Sequence, residues 1–243
     1  MHEAEKLLVL FALSDRTAFV SISRFFKEYI LKRILLAAIT CLPLYAQADD
    51  VAKTIASQGN KQGATACQTC HGADGSGTAA AGFPRLAGLD AGYIEQQLQN
   101  FRSGKRSNPV MQPIAKLLSK KEVPLMAAYY AALPVPAFTP EGGDAALLRK
   151  GEIIATVGDW DHEIPACFQC HGPSGKGMAP SFPAISGQSA LYISNQIEAW
   201  KSGSRANDPV GLMKSVADKL SADQVAAVSA FLANQQSTNG DKK

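Results

Sequence analysis

Cys67-Gln68-Thr69-Cys70-His71 and Cys167-Phe168-Gln169-Cys170-His171 are two copies of one pentapeptide pattern, 100 residues apart in a chain of 243. Cys-x-x-Cys-His is the attachment spacing of c-type haem. Each part has a chemical task. Two thiols on either side of a tight turn can form thioether bonds to the two vinyl groups of one haem. The histidine that follows directly is then held under the iron as the proximal ligand. The pair of motifs predicts two covalently bound haem c groups, one on Cys67 and Cys70 with His71, the other on Cys167 and Cys170 with His171.

Other uses of these cysteines fit less well. Two structural disulfides would not explain a histidine after both second cysteines. A four-cysteine zinc site usually places its pairs about 15–20 residues apart, whereas a whole domain separates these. A thioredoxin-like pair would need a βαβ context, and the flanks here read as Gly-rich loops and helices. The chain has five cysteines and four histidines. Beyond the motifs only Cys41, His2 and His162 remain, and His162 reads as a surface-loop residue.

The second motif lies inside a longer repeat, which makes the period the next thing to read. Phe83-Pro84-Arg85-Leu86-Ala87-Gly88 matches Phe182-Pro183-Ala184-Ile185-Ser186-Gly187. Tyr93-Ile94, Gln97-Leu98 and Phe101 match Tyr192-Ile193, Gln196-Ile197 and Trp200. Arg106 matches Arg205, Pro109-Val110 matches Pro209-Val210, and Glu122-Val123 matches Gln224-Val225. The offset drifts only from 99 to 102. Such a period means two homologous small domains. Pro134, Pro136, Pro140, Gly142 and Gly143 mark an extended linker. The expected organisation is a targeting segment over 1–48, a first domain over 49–135, a linker over 136–143 and a second domain over 144–243.

Within each half the pattern is helical, and the fold class expected is all-α. Asp50–Gln58 and Asp144–Val157 read as short helices before the motifs. Ala91–Phe101 and Ala190–Trp200 carry apolar residues at helical spacing. Ser119 with Glu122, and Ser221 with Gln224, are capping-box signatures opening the last helix of each half. Pro124 should kink its helix or mark a later start. No segment shows sustained period-2 alternation. Domains this small build little core from their own side chains, so the haem is expected to supply much of it.

The N-terminus reads as an export signal. Lys27, Lys32 and Arg33 precede the apolar run Ile34–Tyr45, then the small-residue pattern Ala46-Gln47-Ala48 and Asp49-Asp50. Cleavage is expected after Ala48 and localisation in the periplasm. The run is too short to span a bilayer comfortably; an uncleaved anchor formed with Leu7–Leu13 is the alternative. Removing 1–48 leaves 18 Lys and Arg against 17 Asp and Glu. No basic patch suggests nucleic acid.

A haem held by one histidine needs a sixth ligand or an open site. Met111 and Met213 both follow the matched Pro-Val pair, in loop-like sequence, and their register favours axial ligation over core packing. Met126 aligns with Val228 and reads as core; Met178 reads as lining the edge of haem 2. His/Met ligation raises the reduction potential and leaves no place for substrate, which points to one-electron transfer. The carbonyl of Pro84 or Pro183 can orient the proximal histidine, or the proline simply shapes its loop. Arg106 and Arg205 either pair with haem propionates or remain solvated surface charges. Tyr93 and Tyr192 pack on a haem, hydrogen-bond at the domain interface, or only fill a helix face.

Taken together, the tandem Cys-x-x-Cys-His, Phe-Pro-x-Leu/Ile-x-Gly, Tyr-Ile-x-x-Gln and downstream methionine resemble the dihaem cytochrome c4 family over nearly all of residues 60–235. The resemblance implies two class I cytochrome c folds related by pseudo-twofold symmetry, with propionate edges facing the interface. It implies a periplasmic carrier, soluble or loosely membrane-associated, passing electrons from a quinol-oxidising complex towards a terminal oxidase. It assigns Cys67, Cys70, His71 and Met111 to haem 1, and Cys167, Cys170, His171 and Met213 to haem 2. The alternative is an electron-transfer subunit of a periplasmic dehydrogenase, for example one oxidising an alcohol or a sulfur compound. A dihaem peroxidase would need an open iron site, against which the two matched methionines argue. The second half departs from the first by an insertion, Asp159–Ile164, and by a longer methionine segment.

Overall fold

Each half of the chain wraps capped, amphipathic helices around its Cys-x-x-Cys-His turn. The computed structural model describes residues 49–137 and 139–236. The targeting segment expected over 1–48 lies outside the described residues. In the first half, α1 covers 49–58, α2 Gln68–His71, α3 Ala91–Ser103, α4 Met111–Lys116 and α5 Glu122–Ala132. In the second half, α6 covers Ala145–Thr156, α7 Cys167–His171, α8 Ala190–Lys201, α9 Leu212–Lys219 and α10 Ala222–Ala233.

The helices start where their sequences offer a side-chain acceptor to the first orphan N–H groups. Asp90 accepts from Tyr93 N at 2.9 Å at the start of α3, and Asp144 from Leu147 N at 2.9 Å at the start of α6. Ser189 accepts from Tyr192 N at 3.2 Å at the start of α8. Both capping boxes form. Ser221 Oγ accepts from Gln224 N while Gln224 Oε1 accepts from Ser221 N. Ser119 and Glu122 exchange the same two bonds. Pro124 produces no kink: the regular turns of α5 begin at Glu122, so the proline falls in the first turn, where a missing N–H costs nothing.

Each half has its own core. In the first, Tyr93, Ile94, Leu98 and Phe101 of α3 face Val123, Met126 and Tyr130 of α5, with Ile55 of α1 closing one side. In the second, Ile193, Ile197 and Trp200 of α8 face Val225, Val228 and Leu232 of α10, with Ile154 of α6. Met126 sits fully inside, as its alignment with Val228 requires.

Two features differ from the sequence expectation. The segments carrying the methionines are helical: Met111 opens α4 and Met213 is the second residue of α9. Asn108 and Asp208 organise these turns through side-chain oxygens that accept from Met111 N and Met213 N, a local device that leaves little hydrophobic periodicity. The insertion of the second half is a miniature hairpin. β1, Gly158–Asp159, pairs antiparallel with β2, Ile164–Pro165, across the turn Trp160–His162. Two-residue strands are too short to show alternation.

Candidate functional site

The two Cys-x-x-Cys-His motifs form α2 and α7, each a single helical turn that ends on its histidine. One turn places both cysteines and the histidine on the wall of one cavity. The first cavity, about 740 Å³, is lined by Cys67, Cys70, His71, Pro84, Met111 and Tyr130 among others. The second, about 320 Å³, is lined by Cys167, Cys170, His171, Pro183, Met213 and Leu232 among others. Each cavity thus brings together the two thiols, the histidine and the methionine that the repeat pairs. Met178 is not part of the second wall. It is 55% exposed, and its backbone bonds with Phe182 in both directions. His162 is exposed and holds Asp159 Oδ2 at 2.9 Å.

Both histidines are oriented so that Nε2 could hold a metal. His71 Nδ1–H donates to the Pro84 carbonyl at 2.9 Å, and His171 Nδ1–H to the Pro183 carbonyl at 2.8 Å. That bond fixes the tautomer and leaves Nε2 as the lone-pair atom. His71 Nε2 is buried with no protein partner, as expected of an atom that binds something other than protein. Burial pushes both imidazoles down from their usual value, outweighing the opposing bond to the proline carbonyl. Both are therefore neutral donors at pH 7. At His171 the Arg205 charge adds to the same direction.

Glycines close the turn over each histidine. Gly77 N donates to the His71 carbonyl at 2.8 Å, and Gly177 N to the His171 carbonyl at 2.7 Å. Gly77 has φ +86°, and a Cβ there would lie 2.6 Å from the Phe83 carbonyl oxygen. Only glycine fits so tight a passage. The four cysteines of the motifs are free and half-buried. Burial pushes the Cys167 thiol up to about 11 and raises Cys67 as well. The free thiols, the orphaned Nε2 and the apolar walls all suit a covalently attached haem.

Between the cavities runs a polar seam. Arg106 and Arg205 face each other in an antiparallel bridge, flanked by Ser107 N to Ser204 O at 2.6 Å and Ala206 N to Lys105 O at 2.7 Å. Both arginines are buried, each 7% exposed, which excludes the solvated-charge reading. Arg106 donates to Tyr192 Oη at 3.0 Å, and Arg205 to Tyr93 Oη at 3.3 Å. Gln97 Oε1 accepts from Arg106 and Arg205, and so does Gln196 Oε1. Each guanidinium also stacks 4.6 Å from its own aromatic, Phe101 or Trp200. Burial and the like charge of Arg106 push Arg205 down from its usual value. Burial pushes the Tyr93 phenol up, but the two guanidiniums outweigh it and its net shift is downward.

The sequence pointed to Tyr93, Tyr192 and the arginines but not to the acceptor role of the paired glutamines. Their i, i+4 spacing from the tyrosines, repeated in both halves, was the available signal. It also missed a second contact. Gln188 exchanges bonds with the Arg85 backbone, accepting from its N–H at 3.0 Å and donating to its carbonyl at 2.8 Å. The Arg85 side chain reaches Ala87 O in its own half and Ser186 O in the other.

The chain matches the Cytochrome c family over residues 56–133 and 164–236. It is 49% identical over 197 residues to the thiosulfate dehydrogenase electron acceptor of Stutzerimonas stutzeri, covering 81% of this chain and 91% of that one. The structure of a thiosulfate dehydrogenase from Marichromatium purpuratum superposes with a TM-score of 0.71 at 41% identity. That match covers 77% of this chain but only 40% of the other. The structure of reduced cytochrome c4 from Pseudomonas stutzeri superposes with a TM-score of 0.65 at 32% identity, covering 70% and 93%. Repeat, pockets and relatives agree: the chain belongs to the cytochrome c family as a tandem protein of the dihaem cytochrome c4 type, carrying two covalently bound haem c groups and serving electron transfer.

Proposed function

We propose that this protein takes single electrons from a thiosulfate-oxidising dehydrogenase in the periplasm and passes them on through its two haems. The observation that carries this reading is the 49% identity, over most of both chains, to an electron acceptor of thiosulfate dehydrogenase. The structural likeness to part of a thiosulfate dehydrogenase supports it. The reading favours the dehydrogenase partnership over the route from a quinol-oxidising complex to a terminal oxidase. Likeness to cytochrome c4 supports that second route.

The residues have definite parts in this proposal. Cys67, Cys70, Cys167 and Cys170 attach the two haems, which supply one-electron chemistry when bound. His71 and His171 hold the irons from one side, oriented by the carbonyls of Pro84 and Pro183. Met111 and Met213 hold them from the other, and thioether ligation raises the potential. Arg106 and Arg205 pair with haem propionates. Two buried cations whose hydrogen-bond partners are neutral side-chain amides and phenols need anionic company, and both line the first cavity. The domain limits proposed, 49–135 and 144–243 around a linker at 136–143, are supported by the presence of one hydrophobic core in each half. The N-terminal segment directs export to the periplasm and is removed by cleavage after Ala48. Among the described residues no helix is long and apolar enough to cross a membrane.

Stopped-flow mixing of the oxidised protein with a purified thiosulfate dehydrogenase and thiosulfate tests the donor. Rapid appearance of the reduced haem bands, dependent on both enzyme and thiosulfate, is expected. Reduction only by a quinol:cytochrome c oxidoreductase would return the protein to the general carrier role.

A further inference from the structure

Tyr130 and Leu232 occupy the same place in the two halves. The Tyr130 carbonyl accepts from Gly88 N at 3.0 Å, and the Leu232 carbonyl from Gly187 N at 3.0 Å. Gly88 and Gly187 are themselves equivalent positions of the repeat. Both side chains line the haem cavity of their half. One brings a phenol hydroxyl where the other brings only methyl groups.

That hydroxyl is unusually placed. Tyr130 is 2% exposed, and its oxygen is buried without a hydrogen-bond partner. Burial is the main reason its phenol is raised far above the ordinary range, and the Cys67 thiol adds to the effect. Leaving a buried hydroxyl unsatisfied is costly, and such an atom in a native site calls for a partner or a function. The Cys67 sulfur lines the same cavity and is the side-chain group with the largest effect on the phenol. Once that sulfur is joined to a vinyl carbon it has no hydrogen and can only accept. In a hydrogen bond between the two, the phenol would then be the donor.

We propose that the Tyr130 hydroxyl donates to the Cys67 thioether sulfur and raises the reduction potential of haem 1, with no counterpart at haem 2. An O–H dipole whose positive end faces the haem edge favours the electron-rich state, and the low dielectric of the pocket strengthens it. The effect makes two haems with the same ligand types unequal. It gives the electron a preferred resting place in the first half of the half-reduced protein.

The proposal rests on haem attachment at Cys67 and Cys70, which the pyridine haemochrome content of each sample reports separately. Tyr130→Phe keeps the ring and removes only the oxygen. Wild type, Tyr130→Phe and the neighbouring control Tyr129→Phe are titrated spectroelectrochemically. Haem methyl NMR resonances of the half-reduced state assign each step to its haem. With two haems per chain retained, haem 1 of Tyr130→Phe becomes about fivefold harder to reduce at a given potential, the scale of one ordinary hydrogen bond. Haem 2, and both haems of Tyr129→Phe, stay at the wild-type values. An unchanged haem 1, a haem 1 easier to reduce, or an equal shift of both haems would overturn the proposal.

Discussion

At the scale of single residues, the pockets depend on a few atoms held in fixed orientations. Neutral His71 and His171 each present Nε2 because Nδ1–H is tied to a proline carbonyl. The methionines carry the other half of the ligation argument. Met111→His and Met213→His should each remove about half of the weak sulfur–iron charge-transfer absorption of the oxidised protein and lower the potential of that haem alone. An optical titration of the two variants reads both effects; a band that survives Met213→His would assign haem 2 a different ligand. Gly77 is equally intolerant. Gly77→Ala combines positive φ with a 2.6 Å approach to the Phe83 carbonyl, and should cost about 2–3 kcal/mol, measured by guanidinium unfolding of the haem-loaded protein. The cysteines and histidines were legible in the sequence because attachment chemistry dictates their spacing. Gly77 was not, because its requirement comes from a backbone passage made by residues up to eight positions away.

At the scale of elements, the principal helices were readable from their caps and apolar spacing, as Asp144, Ser189 and Ser221 illustrate. The short ones were not. α4 and α9 are organised by Asn108 and Asp208 accepting from backbone N–H groups, and such turns have no long periodic face to betray them. The hairpin of the second half escaped for the same reason, being held by its turn. There, His162 sits on Asp159, and that bond raises the histidine above its ordinary value of 6.5. Because the folded value is the higher one, the stabilisation from this pair is complete below the unfolded value. It is lost as pH rises through the folded value. Asp159→Asn should bring the His162 titration back towards 6.5, followed by NMR of the imidazole protons. No change would mean that the exposed pair is not formed in solution.

At the scale of the whole molecule, the repeat announced two domains but not how they meet. Nothing in a sequence says that Arg85 will cross to Ser186, or that Gln188 will bond the Arg85 backbone. The equivalent positions are Ala184 and Leu89, an apolar pair that both line the second cavity. The seam is therefore symmetric at its centre and asymmetric on its flank. Gln188→Ala removes two buried bonds to the Arg85 backbone. It should destabilise the protein by about 2–3 kcal/mol, seen as a lower midpoint in chemical unfolding with both haems still attached. A midpoint unchanged from wild type would mean that water replaces the amide and that the flank contributes little to holding the halves together.

The centre of the seam has the form of an isologous contact: Arg106 meets Arg205, and each guanidinium reaches the tyrosine of the opposite half. Two identical subunits would make this contact, since residue i meets j and j meets i. Placing both sides on one chain changes what such a contact permits. The tether supplies the partner at high effective concentration, so the contact need not be strong enough to assemble separate molecules. It also frees equivalent positions from being identical. A self-pairing dimer could carry an arginine at both 85 and 184, or at neither; a tethered pair can carry one. The direction in which electrons run along the molecule can thus be built in by single substitutions, each on one side of an otherwise symmetric joint.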